Sequence, residues 1–132
     1  MSEITVLDTH IWFWLMTEDF QKIPDSWQTA IETAPQVGVS AISCYEIALA
    51  SQKGRLELPC PISEWLEEAL LPSGIELFPL TPEITVRAVN LSPIHKDPFD
   101  RLIIATALEY GAKLASVDSL FSKYPELENY LM

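Results

Sequence analysis

The chain has 132 residues, 48% of them hydrophobic, which is enough for one compact α/β-sized domain spanning residues 1–132. Nineteen acids against eight Lys and Arg give a net charge of −11. That balance excludes a protein that grips nucleic acid over a broad surface, because such affinity comes from many Lys and Arg contacts to phosphate. No charge-free apolar run approaches the roughly 20 residues of a membrane span. The opening MSEITVLDTH lacks a basic segment followed by an apolar one, as a signal peptide would have. Cys44 and Cys60 show no metal-ligand spacing and read as reduced thiols, so a cytoplasmic location is expected.

The predicted elements alternate along the chain. ITVL (4–7) is a short strand ending at Asp8, and THIWFWLM (9–16) is helical. Its run Ile11-Trp12-Phe13-Trp14-Leu15 is apolar all round, as in a helix buried on every side or covered by a partner. A polar stretch leads to a helix at 25–33. QVGVS (36–40) reads as a strand that Gly38 weakens slightly. AISCYEIALASQK (41–53) is a helix stopped by Gly54. A helix over 62–71 follows, then the strand GIELF (74–78). A helix over 82–90 has Thr81 as its cap and Pro82 at its first position. The helix over 98–110 ends at Gly111, KLAS (113–116) is the last strand, and a short helix begins after Asp118. Short apolar strands alternating with helices predict an α/β domain whose central, mostly parallel sheet is flanked by helices. Ligands of such sheets bind beyond the carboxyl ends of the strands.

Several acids fall at those positions. Asp8 follows the first strand directly, where it could cap the next helix or face a ligand. Glu46 lies on an apolar helical stripe with Ile42, Leu49 and Ala50, with no other charge between Ala34 and Gln52. A carboxylate so placed is costly unless paired, protonated or bound to a metal. In HKDPFDR, Asp97 is the cap and Pro98 the first helical residue. Asp100 then sits one turn in, sharing a face with Ile103, Ile104 and Ala107. Asp118 lies two residues past the last strand and could again be a cap. If these acids converge to about 5 Å, each pair repels by roughly 3 kcal/mol at an effective dielectric of about 20. Three such acids then cost on the order of 10 kcal/mol, comparable with the stability of a small domain. Protonation or a cation must offset that cost, and all-oxygen ligands point to Mg²⁺ or Mn²⁺.

VLDTHIWFWL, SAISCYEIAL, HKDPFDRLIIATAL and LASVDSLF, in that order, resemble the four motif blocks of the PIN domain. More closely they resemble the VapC toxins of bacterial toxin–antitoxin pairs, and the likeness covers nearly the whole chain. The resemblance implies a metal-binding and catalytic quartet of Asp8, Glu46, Asp100 and Asp118, with Asp97 accessory. It implies a Mg²⁺- or Mn²⁺-dependent endoribonuclease that attacks RNA with a metal-activated water, with tRNA or rRNA as the usual target. It also implies a homodimer, inhibited by a small VapB-like antitoxin that inserts a segment into the active-site groove.

Thr9 and Ser116 are candidates for steadying the acids or their waters. Arg101, beside Asp100, is the first candidate for contacting RNA, followed by Lys96, with Lys53 and Arg55 also near the motifs. His10 and His95 read as structural. The family often carries Lys four residues after the second acid, where this chain has Ala50. That departure, with the net charge, leaves a second reading: a catalytically weak PIN-fold binding module controlled by a partner. A third, a Mg²⁺-dependent phosphatase, is disfavoured because the first strand ends in DTH rather than a paired-acid DxD. In this scheme Asp97→Asn costs mainly stability and Asp100→Asn mainly activity.

Overall fold

The computed structural model describes residues 3–132. Four strands, β1 (Ile4–Leu7), β2 (Gln36–Ser40), β3 (Glu76–Phe78) and β4 (Lys113–Ala115), form one sheet in the order β3-β2-β1-β4. Every pairing is parallel, so the carboxyl ends of all four strands open on the same side. Six helices surround it: α1 (Thr9–Met16), α2 (Asp25–Thr33), α3 (Ala41–Gln52), α4 (Ile62–Glu68), α5 (Pro82–Asn90) and α6 (Pro98–Glu109). The expected α/β architecture is the one the chain forms.

Alternation along the strands builds a core on each face. Leu7, Val39 and Ala115 pack with Ile11, Trp12, Ile47 and Trp65 on one side. Val6 and Leu114 pack with Ile103, Ile104, Phe121 and Tyr124 on the other. The all-apolar α1 is resolved by this packing. Ile11 and Trp12 are fully buried, and the Trp12 indole N–H donates to the Ala69 carbonyl at 3.0 Å. Phe13 through Met16 are only half-buried.

Gly38 matters for space. A Cβ there would collide with the Phe78 ring and stand 2.7 Å from the Glu76 carbonyl oxygen on the adjacent strand. The weak strand residue is therefore what lets β3 pack close to β2.

Three expectations differ by more than the single residue by which the ends of α3, α6 and β4 fall short. α4 stops at Glu68 rather than 71, because the chain tightens into a 3₁₀ turn at Leu71–Ser73 that contains Pro72. Gly74 closes that turn in the left-handed region (φ 76°), so the following strand starts at Glu76, not 74. After Asp118 there is no α-helix. Two 3₁₀ turns follow, Phe121–Lys123 and Pro125–Leu127, and Pro125 has no N–H with which to continue a helix.

Candidate active site

Each predicted acid is delivered to the open end of the sheet by ordinary local structure. Asp8 caps α1, its Oδ1 accepting from the Ile11 N–H at 2.9 Å. Its own N–H donates to the Ala115 carbonyl at 3.0 Å, which fixes β1 against β4 beneath the site. Asp97 caps α6, accepting from the Phe99 N–H at 2.9 Å, as the sequence predicts. Glu46 projects from the middle of α3, and the Thr9 hydroxyl donates to its Oε1 at 2.7 Å while touching the Ser43 hydroxyl at 2.9 Å. Asp118 holds its own turn, with Oδ1 accepting from the Leu120 N–H at 2.9 Å. Ser116 accepts from the Asp118 N–H at 3.2 Å, and its hydroxyl stands near enough to Asp8 to favour the ionised carboxyl there.

These acids meet. Asp8, Glu46, Asp97, Asp100 and Asp118 line one cavity of about 380 Å³, with His10 at its rim. Two of these acids, Asp100 and Asp118, also form a tight group with His95, which does not line the cavity, and one donor atom from each of the three lies within 4.8 Å of the others. Asp8 and Glu46 line the same cavity outside that group. A groove of about 510 Å³ continues past Glu46 and Asp97 to Ala50, Lys53 and Arg55.

The electrostatics match the crowding. Asp100 is pushed up to about 7, first by burial and then by the charge of Asp97, with Glu46 and Asp118 adding and His95 opposing. Burial also raises Asp8, against the hydrogen bonds from Ser116 and Ile11. Glu46 is raised by burial as well, against the hydrogen bond from Thr9, with Asp97 and Asp8 adding to the rise. Among the described residues no Lys or Arg forms an ion pair with any of the five acids, and His95 alone reaches two of them. Oxygen donors dominate the set, and neither free cysteine joins it. That chemistry fits Mg²⁺ or Mn²⁺, which would offset the repulsion.

A pH dependence follows for the metal-free protein. Asp100 keeps its proton up to about pH 7 in the fold, whereas the unfolded chain releases it near 4. Between those values the folded state binds more protons, so this group's contribution to stability falls as pH rises, and it is level outside the window. Melting in EDTA across the window, compared with Asp100→Asn, will show the difference growing with pH; a flat difference would count against the buried acid. Asp97→Asn keeps a capping oxygen but removes a charge, so it will lower the pKa of Asp100 and narrow the window.

Two sequence expectations change here. Arg101 is not turned to a ligand. Its Nε donates to the Ala88 carbonyl, Nη1 to Ser92 and His95, and Nη2 to Val89 and Leu91, at 2.8–3.2 Å. All five N–H donors are thereby spent on the chain itself. Lys96 is exposed, as an RNA contact would need to be. His95, expected to be structural, stands in the site. Its only sequence signal was its position two residues before the Asp97 cap.

Known proteins place the chain in context. The sequence model described as PIN domain matches residues 5–127. The chain is 36% identical over 114 residues to Ribonuclease VapC22 of Mycobacterium tuberculosis, covering 86% of this chain and 85% of that protein. Among solved structures, VapBC2 from Rickettsia felis bound to a promoter DNA fragment superposes with a TM-score of 0.67 at 19% identity, covering 98% of this chain and 97% of the other. A toxin–antitoxin complex from Klebsiella pneumoniae superposes with a TM-score of 0.61, also at 19% identity, covering 97% and 95%. At those identities the two structures speak for the fold.

Proposed function

The chain belongs to the PIN-domain family, and from that premise we propose that it is a divalent-cation-dependent endoribonuclease of the VapC type, controlled by a VapB-like antitoxin. The observation that carries this reading is the convergence of Asp8, Glu46, Asp100 and Asp118 on one cavity, with no Lys or Arg among the described residues paired to them. Likeness to a protein named as a ribonuclease supports the activity, and likeness to toxin–antitoxin complexes supports the partner.

In this reading Asp100 and Asp118 would hold Mg²⁺ or Mn²⁺ together, with Asp8 and Glu46 completing the acidic wall. A bound ion supplies Lewis acidity, which lowers the pKa of water and offsets charge on phosphoryl oxygens. The chain's own residues set the geometry. Thr9 orients the Glu46 carboxylate, and Ser116 steadies both Asp8 and the turn carrying Asp118. Asp100 would hold the ion as the carboxylate, the form its buried and crowded position disfavours without a cation. RNA lies in the groove that leads away from Glu46, where Lys53 and Arg55 stand in for the cationic side chain missing at Ala50. Lys96, exposed and next in sequence to Asp97, is a further candidate contact. The fold leaves these few cations to act locally on a molecule whose net charge otherwise repels RNA. The proposal extends to tRNA or rRNA as substrate, a homodimer and a cytoplasmic site of action. Among the described residues no helix is long and apolar enough to cross a membrane.

The test is direct. Protein purified free of antitoxin will cleave RNA when Mn²⁺ is added and will stop in EDTA. A protein that binds the ion but leaves tRNA and rRNA intact would instead be the partner-controlled scaffold, the reading that Ala50 and the acidic surface favour.

A further inference from the structure

His95 reaches two acids from different elements. Its Nε2 lies 3.1 Å from Asp118 Oδ2 and 3.3 Å from Asp100 Oδ2. The residue does not arrive there by a loose side chain. Its N–H donates to the Tyr124 hydroxyl at 2.8 Å, and its carbonyl accepts from Arg101 Nη1 at 3.2 Å. Its ring meets Phe121 edge-on, with centroids 5.9 Å apart. Phe121 and Tyr124 are each only 1% exposed, so the frame that aims the imidazole is part of the core.

The spacing is informative. Ligands about 2.1–2.2 Å from an ion in an octahedral shell stand about 3 Å from their cis neighbours. Both Nε2–oxygen distances are close to that edge. A histidine needed only for packing would be satisfied by one polar partner, and would not have its Nε2 placed between two carboxylates of a candidate cation site.

We propose that His95 Nε2 is a nitrogen ligand of the divalent cation held by Asp100 and Asp118, and that it biases the site toward Mn²⁺ over Mg²⁺. The proposal rests on the metal-dependent reading given above. For ligation Nε2 offers its lone pair, so the ring proton resides on Nδ1. Imidazole nitrogen suits first-row transition ions, whereas Mg²⁺ prefers an all-oxygen shell and sheds its waters reluctantly. The rival arrangement is an imidazolium that pairs with the two acids in place of a cation. The two differ in what happens when the ring is removed. A ligand's loss weakens Mn²⁺, whereas a competitor's loss strengthens every divalent ion.

The experiment uses the full chain with Mn²⁺ and Mg²⁺ as probes. Pulsed electron paramagnetic resonance of bound Mn²⁺ will show ¹⁴N coupling from an imidazole. The coupling will vanish in His95→Ala and persist in His10→Ala, which controls for the histidine that lines the neighbouring cavity. Calorimetry will show Mn²⁺ affinity falling by about 10–100-fold or more in His95→Ala and His95→Gln, with Mg²⁺ affected less. Wild-type protein that binds Mn²⁺ without nitrogen coupling would overturn the proposal and leave the metal-dependent reading standing. So would a His95→Ala variant that binds Mn²⁺ as tightly as wild type. Wild-type protein that takes up no Mn²⁺ would overturn both.

Discussion

Asp100→Asn will lower RNA cleavage by at least about 10²-fold and will raise the melting temperature of the metal-free protein at pH 8. Replacing a carboxylate that only supports a metal ligand already costs 10–100-fold in many sites, so loss of a direct ligand should cost no less. Asn keeps the volume and one oxygen but loses the charge that attracts a cation. The stability gain has a separate cause. At pH 8 most Asp100 carboxyls are ionised in a half-buried position, next to Asp97 and in the field of Glu46 and Asp118. An amide feels none of that repulsion. At pH 5 the wild-type group is protonated, and the advantage of Asn should nearly disappear. The pair of measurements is cleavage of RNA in Mn²⁺ and thermal melting in EDTA at the two pH values. Undiminished cleavage would remove Asp100 from the site. Reduced cleavage with lower stability at both pH values would make it a folding residue instead.

That the four acids share one cavity was foreshadowed in the sequence, where each stands at a strand end or on a helical stripe and the PIN-domain resemblance singles out the set. Asp97 could be assigned to its cap because Pro98 marks the first turn of α6, and the observed hydrogen bond to the Phe99 N–H follows from it. What sequence alone could not show was how residues far apart in the chain divide the work. Asp118 and Asp100 come together only because β4 lies beside β1 and α6 packs beneath both. The role of His95 depends on Tyr124, 29 residues later, and on a carbonyl contact with Arg101. No periodicity encodes such contacts. The misplaced ends of α4 and β3 have a humbler cause: the apolar pattern runs on through Leu70 and Leu71, but Pro72 and Gly74 reshape the backbone before the pattern ends.

Arg101→Ala will destabilise the protein by about 3–5 kcal/mol, a large share of the 5–15 kcal/mol typical of a domain. The guanidinium gathers five carbonyls from Ala88 to His95, across the end of α5 and the loop that leads into α6. Hydrogen bonds from a charged donor contribute about 1.5–3 kcal/mol each, but some of these carbonyls are near solvent and will recover water, which keeps the total below the sum. Ser92 is held a second time, by the Glu126 carboxylate, which accepts from its N–H at 2.7 Å. Its loop therefore loses one anchor rather than all of them. Lys cannot replace the clamp, because a single ammonium on a flexible stem lacks the planar fork that reaches five acceptors at once. Arg101→Lys should recover only a minor part of the loss. Chemical denaturation of wild type, Arg101→Ala and Arg101→Lys reads these differences directly. The same variants decide between the two jobs considered for this residue. A side chain that contacts RNA would leave unfolding within about 0.5 kcal/mol of wild type and weaken RNA binding. A clamp reverses that order: stability falls first, and activity falls with it because Asp100 and His95 lose the frame that holds them together.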